Sequence, residues 1–161
     1  LEMTKKSYLE IKDFPFMNGK ELIRELKNNK IILSPWIEDI FEKKKFTNTK
    51  KFLPYRIYKI HLKKDLNVNK QIYLKDIYKK LKANGYNTIE PHFAIYSRLF
   101  IKNLKIGSWI RYATPMNSMI DRDGIPHLPK AGFALGKNFL ETYWSYPKAV
   151  FHPHNIFFVS K

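Results

Sequence analysis

The chain has 161 residues, 44% of them apolar and 16% aromatic, with a formal net charge of +16 and no cysteine. That length and apolar content predict one domain over residues 1–161 with its own core, and exclude a disordered chain, which would lack large side chains. The missing cysteines exclude a disulfide framework, a cysteine-ligated zinc site and a thiol nucleophile.

Leu1 and Glu2 precede Met3 and read as a restriction-site remnant ahead of an initiator. No apolar run reaches the ~18–20 residues of a membrane span, and Met3 to Ser7 lead into polar sequence, so no membrane span and a cytoplasmic protein are expected. Asn18, with Glu21 three residues on and apolar Leu22, Ile23 and Leu26, predicts a capped helix ending near Asn28 and Asn29. After a link from Lys30 to Leu33, Ser34-Pro35 predicts a second helix. Its buried face holds Trp36, Ile37, Ile40 and Phe41, and Lys43, Lys44 and Lys45 suit its negative end. Together these segments read as a helical hairpin over 18–45.

Tyr55 to Leu62 has the β-branched and aromatic density of a strand, with Tyr58, Ile60 and Leu62 facing the core. Leu74, Ile77, Tyr78 and Leu81 have helical spacing, and Gly85 is placed to end that helix. Glu90-Pro91 opens a further helix to about Phe100, with Phe93, Tyr96, Leu99 and Phe100 apolar. Ile106 to Thr114 reads as a strand with Trp109, Arg111 and Ala113 on one face and Ile110 and Tyr112 on the other. Asp123-Gly124 marks a tight turn, after which Pro126 and Pro129 predict an edge or irregular segment. Ile156 to Val159 closes the chain as a short apolar strand paired inside a sheet. The order predicts an α+β fold: an N-terminal helical hairpin, then a sheet-containing body over 55–161, mostly antiparallel with one or two packed helices.

The charge is unevenly spread. Residues 43–82 hold fourteen basic and two acidic groups, against seven and eight before them and nine and four after them. A low-GC genome would raise lysine everywhere, and only five of the thirty basic residues are arginine, so a concentrated lysine excess points to backbone contact and away from base-specific reading. The predicted nucleic-acid-binding residues are Lys43, Lys44, Lys45, Lys50, Lys51, Arg56, Lys59, Lys63, Lys64, Lys75, Lys79 and Lys82. Tyr55, Tyr58 and Tyr73 are interleaved as stacking platforms. The expected partner is nucleic acid or an acidic protein, and the expected role is a basic polyanion-binding domain. A small protein-protein inhibitor or immunity-type protein is the second reading, and a phosphoesterase or ribonuclease the third.

Other motifs carry less. Asp121-Arg122-Asp123 with His127 has the spacing of a cation loop but lacks a downstream acidic ligand, so a turn explains it better. His152-Pro153-His154 places two imidazoles on one side of an extended chain, as a ligand pair needs, but a third ligand is missing, and no metal or cofactor is expected. Arg98 and Arg111 could form a phosphate clamp with Glu90 and His92 as acid or base, although Arg111 half buried on a sheet beside Glu90 or Glu141 is the simpler reading. There is no G-x-S-x-G, P-loop or G-x-G-x-x-G.

Overall fold

The computed structural model describes residues 5–161, so the proposed remnant at Leu1 and Glu2 lies outside the described residues. It is an α+β protein. Strand β1 (Leu9–Ile11) leads to helix α1 (Gly19–Asn28), strand β2 (Ile31–Leu33), helix α2 (Pro35–Phe41), a 3-10 turn (Thr49–Phe52) and strand β3 (Tyr55–His61). Helix α3 (Leu62–Leu66), strand β4 (Ile72–Tyr73), helix α4 (Leu74–Ala83), helix α5 (Pro91–Ser97) and a second 3-10 turn (Arg98–Phe100) follow. Strands β5 (Ile110–Tyr112), β6 (His127–Ala134), β7 (Lys137–Trp144), β8 (Val150–Phe151) and β9 (Ile156–Val159) complete the chain.

Helices α1, α2 and α4 form where capping and periodicity place them. The Asn18 side chain accepts from the Glu21 amide at 3.0 Å, and Ser34 Oγ accepts from the Trp36 amide at 3.2 Å, each satisfying an amide that a helix start leaves open. Leu22, Leu26, Ile37 and Phe41 are fully buried. The segment between these helices is more than a link, because Ile31, Ile32 and Leu33 pair in parallel with Asn138, Phe139 and Leu140. The expected hairpin is therefore an α1–β2–α2 unit whose middle strand adds an edge to the main sheet.

That sheet has seven strands in the order β1-β3-β9-β5-β6-β7-β2. It is mixed: four of its six ladders are antiparallel, as expected, but β5 runs parallel to β9 and β2 parallel to β7. Period-two alternation divides its side chains between two cores. On the first face, Ile57, Ile110, Tyr112, Ala131, Leu140 and Phe158 meet α1, α2 and α5. On the second, Tyr58, Ile60, Leu128, Phe157 and Val159 meet α3, α4 and Phe151 of the small β4–β8 ribbon.

Three local expectations are corrected. Leu62 is buried as expected, but it opens α3 instead of ending a strand. The strand expected from Ile106 is shorter, because Gly107 has φ +76° and Ile106 is exposed. Pro129 is neither at an edge nor irregular: it lies within β6, between β5 and β7, opposite Thr142. The amide of His127 points away from β7 to the Met119 carbonyl, and two residues on the Pro129 nitrogen faces that same side. The ladder from β5 reaches only Lys130 and Ala131, so the missing donor costs no sheet bond.

Candidate functional site

Helices α3 and α4 cover the β3–β9 part of the second face and reach Leu128 at one end of β6. Over β5, β6 and β7 that face stays half open. Register puts Arg111 opposite Lys130 and Lys130 opposite Glu141, so the three form one cross-strand row. Trp109 and Tyr143 lie two residues along from Arg111 and Glu141, hence on the same face. Trp109 packs flat across Gly132, where an added Cβ would sit 2.4 Å from its ring carbons.

Charge and ring are interleaved throughout. The Arg111 guanidinium lies 5.3 Å from the Tyr143 ring centre and 5.9 Å from that of Phe151. Lys130 Nζ lies 4.8 Å from Trp109 and 5.9 Å from Tyr143. Below Arg111 the surface deepens into a cleft of about 390 Å³, lined also by Trp109, Tyr143, Phe151, His152 and His154. The two imidazoles stack with centroids 5.6 Å apart and planes 10° from parallel.

Arg111 is half buried, as the simpler reading expected, yet it is paired with neither Glu90 nor Glu141. Its Nη1 donates to the Trp109 carbonyl at 3.1 Å, its Nε is buried without a partner, and it joins none of the ion pairs among the described residues. Burial pushes the guanidinium below the usual arginine range, with Tyr143 opposing. Lys130 is lowered first by burial and then by neighbouring Arg111, with Glu141 opposing. Burial raises the Glu141 carboxyl while Lys130 holds it down. Two partly desolvated cations side by side, served by one weakened acid, form a site that an incoming anion would relieve.

The other residues singled out in the sequence lie elsewhere. Arg98 is buried on main-chain oxygens: Nε donates to the Phe139 carbonyl at 2.8 Å, Nη1 to that of Ile101 at 3.1 Å, and Nη2 to that of Gly132 at 2.9 Å. It ties the β6–β7 hairpin to the second 3-10 turn and shares no ligand with Arg111. His92 is enclosed by Phe14, Phe46, Phe52 and Phe93; burial, aided by Lys44, lowers its pKa to about 4. Asp121 builds the turn, its Oδ1 accepting from the amides of Asp123 and Ile125, while His127 Nε2 donates to its Oδ2 at 2.8 Å. Burial works to raise the Asp121 carboxyl, but these hydrogen bonds outweigh it and the net shift is downward. No group of three or more potential ligands able to hold a metal ion occurs among the described residues.

The lysine-rich segment is divided by the sheet. Lys43, Lys44 and Lys45 follow α2, on the first face's side, with Lys50 and Lys51 in the 3-10 turn beyond. Lys63 and Lys64 on α3, and Lys75, Lys79 and Lys82 on α4, belong to the second. Arg56 is bound to Glu10 at 2.8 Å, and Lys59 lies 5.3 Å from the Tyr8 ring. Of the interleaved tyrosines, Tyr55 and Tyr58 are buried and Tyr73 is exposed. Lys130, Tyr143 and Phe151 were missed in the sequence because only cross-strand register brings them to Arg111. The alternation of Trp109 with Arg111 was the available signal.

Compared with known proteins, the chain matches no family model, no curated protein and no solved structure. No helix among the described residues is long and apolar enough to cross a membrane.

Proposed function

We propose that this protein binds single-stranded nucleic acid across the open half of its sheet. The observation that carries the reading is Arg111, held among aromatic rings with no carboxylate partner. Trp109 and Tyr143 offer ring faces to unpaired bases, Arg111 and Lys130 offer charge to the phosphates between them, and a cleft of about 390 Å³ has room for one nucleotide. A duplex hides its base faces in the stack, so it would meet only the charge. The lysines of α3 and α4 add sequence-independent attraction from the same side of the sheet.

The test is fluorescence anisotropy with labelled single-stranded RNA, single-stranded DNA and duplex DNA at about 50 and 200 mM salt. Single strands are expected to bind with Kd of about 1 μM or below at the lower salt and to weaken steeply at the higher. Trp109→Ala should weaken them roughly tenfold, the worth of about one stacked base. Equal affinity for duplex and single strand, or indifference to Trp109→Ala, would remove the reading. Saturable 1:1 binding to an acidic protein with no nucleic-acid binding would replace it with the inhibitor class.

A further inference from the structure

We infer that the same cleft cleaves RNA, with His152 and His154 exchanging protons and Arg111 stabilising the charge on phosphorus; this rests on the binding reading above. Histidine is the side-chain type suited to both giving and taking a proton near neutrality, and two imidazoles line the cleft that Arg111 enters. Both are exposed, so each can exchange protons with water.

Their backbone is fixed, as a catalytic pair requires. The His152 amide donates to Asn155 Oδ1 at 2.8 Å, and the Asn155 amide donates back to the His152 carbonyl at 2.9 Å. The start of α3 clasps the turn from outside, with the Lys63 amide donating to the Pro153 carbonyl at 3.0 Å and the Leu62 amide to that of Asn155 at 3.1 Å. Nothing else in the fold uses the two rings, which make no side-chain hydrogen bond or ion pair among the described residues.

The step balances without a further reagent. One imidazole takes the proton of the ribose 2′-hydroxyl, and the 2′-oxygen bonds to phosphorus. The bond from phosphorus to the 5′-oxygen breaks, and the other imidazole protonates the departing oxygen. The products are a 2′,3′-cyclic phosphate and a free 5′-hydroxyl. Arg111 offsets the negative charge that grows on the phosphoryl oxygens between these states. DNA has no 2′-hydroxyl, so it would be bound and left whole.

The test uses the full chain with a labelled DNA oligonucleotide containing one ribonucleotide, its all-DNA counterpart and its 2′-O-methyl counterpart, in EDTA. Cleavage is expected only at the ribonucleotide, with the cyclic phosphate identified by mass spectrometry. His152→Ala and His154→Ala should each slow it at least about 100-fold, the usual worth of one acid or base. Anisotropy with the 2′-O-methyl strand, which binds without being cut, reports affinity in the same variants, and the loss of rate should exceed any loss of affinity by at least about tenfold. His152→Gln, which keeps size and polarity but transfers no proton, should be as slow as His152→Ala. RNA that is bound but uncut would overturn cleavage and leave binding standing. Cutting of the all-DNA strand, or cutting that survives in the double variant, would also overturn it. Absence of binding to any single strand would sink both readings.

Discussion

At the scale of single residues, Arg111 and Gly132 are the positions where the cleft departs from what stability alone would select. A partly desolvated guanidinium with an unbonded Nε contributes little to folding, and apolar replacement of such charges is commonly neutral or favourable. Arg111→Met is therefore expected to leave stability in chemical denaturation unchanged or raise it by about 1 kcal/mol, while RNA affinity falls at least tenfold. A fall in both together would mean that Arg111 is a structural cation. Gly132 lacks a Cβ because Trp109 occupies that space. Gly132→Ala should cost about 1–3 kcal/mol by overpacking and shift the tryptophan fluorescence. In a Trp109→Ala background the same change should cost almost nothing, which a double-mutant cycle would show as coupling.

At the scale of elements, the sequence was most legible where one segment carries its own instructions. Asn18, Ser34 and the spacing of Leu74, Ile77 and Leu81 announce α1, α2 and α4 because caps and periodicity are local. Pro129 misled because whether a missing amide matters depends on how far the neighbouring strand runs, and the β5 ladder stops at Arg111 and Lys130, one position short of it. The β2 strand was hidden for the same reason: three apolar residues become a strand only because β7 lies alongside. Helix α5 carries a consequence for pH. The fold holds His92 near pKa 4, mainly by burial, whereas the unfolded chain takes up that proton near 6.5. Its contribution is whole above about pH 6.5 and is lost as pH falls through about 4, because there the unfolded state binds the extra proton. With allowance for remaining solvent contact, this amounts to about 2 kcal/mol between pH 7 and pH 4. Urea denaturation across that range should show the loss, and His92→Phe, which suits the surrounding phenylalanines, should flatten it by that amount. An identical slope in the variant would place the acid sensitivity in the carboxylates.

At the scale of the molecule, the charge excess of residues 43–82 is one run in sequence but two surfaces in space, because the β3 strand passes from the α2 side of the sheet to the α3 and α4 side. A linear count of lysines could find the run and could not divide it. The division matters because counterion release depends on which cations reach one phosphate chain, not on net charge. Lys63 and Lys64 start at the turn that carries His152 and His154, since α3 bonds directly to Pro153 and Asn155. Lys43, Lys44 and Lys45 lie beyond the opposite core. Replacing Lys63 and Lys64 by Gln should therefore lower the slope of log affinity against log salt by about 1.4, at ~0.7 for each of two phosphate contacts on a single strand. Replacing Lys43, Lys44 and Lys45 by Gln, a larger loss of charge, should leave that slope unchanged. Both sets are titrated with the same labelled RNA between about 50 and 200 mM salt. If the triple replacement lowers the slope more than the double one, the strand runs along the α2 side and the open sheet face is not its track. If the double replacement alone acts, the net charge of +16 steers the approach while the lysines beside the cleft hold the strand in place.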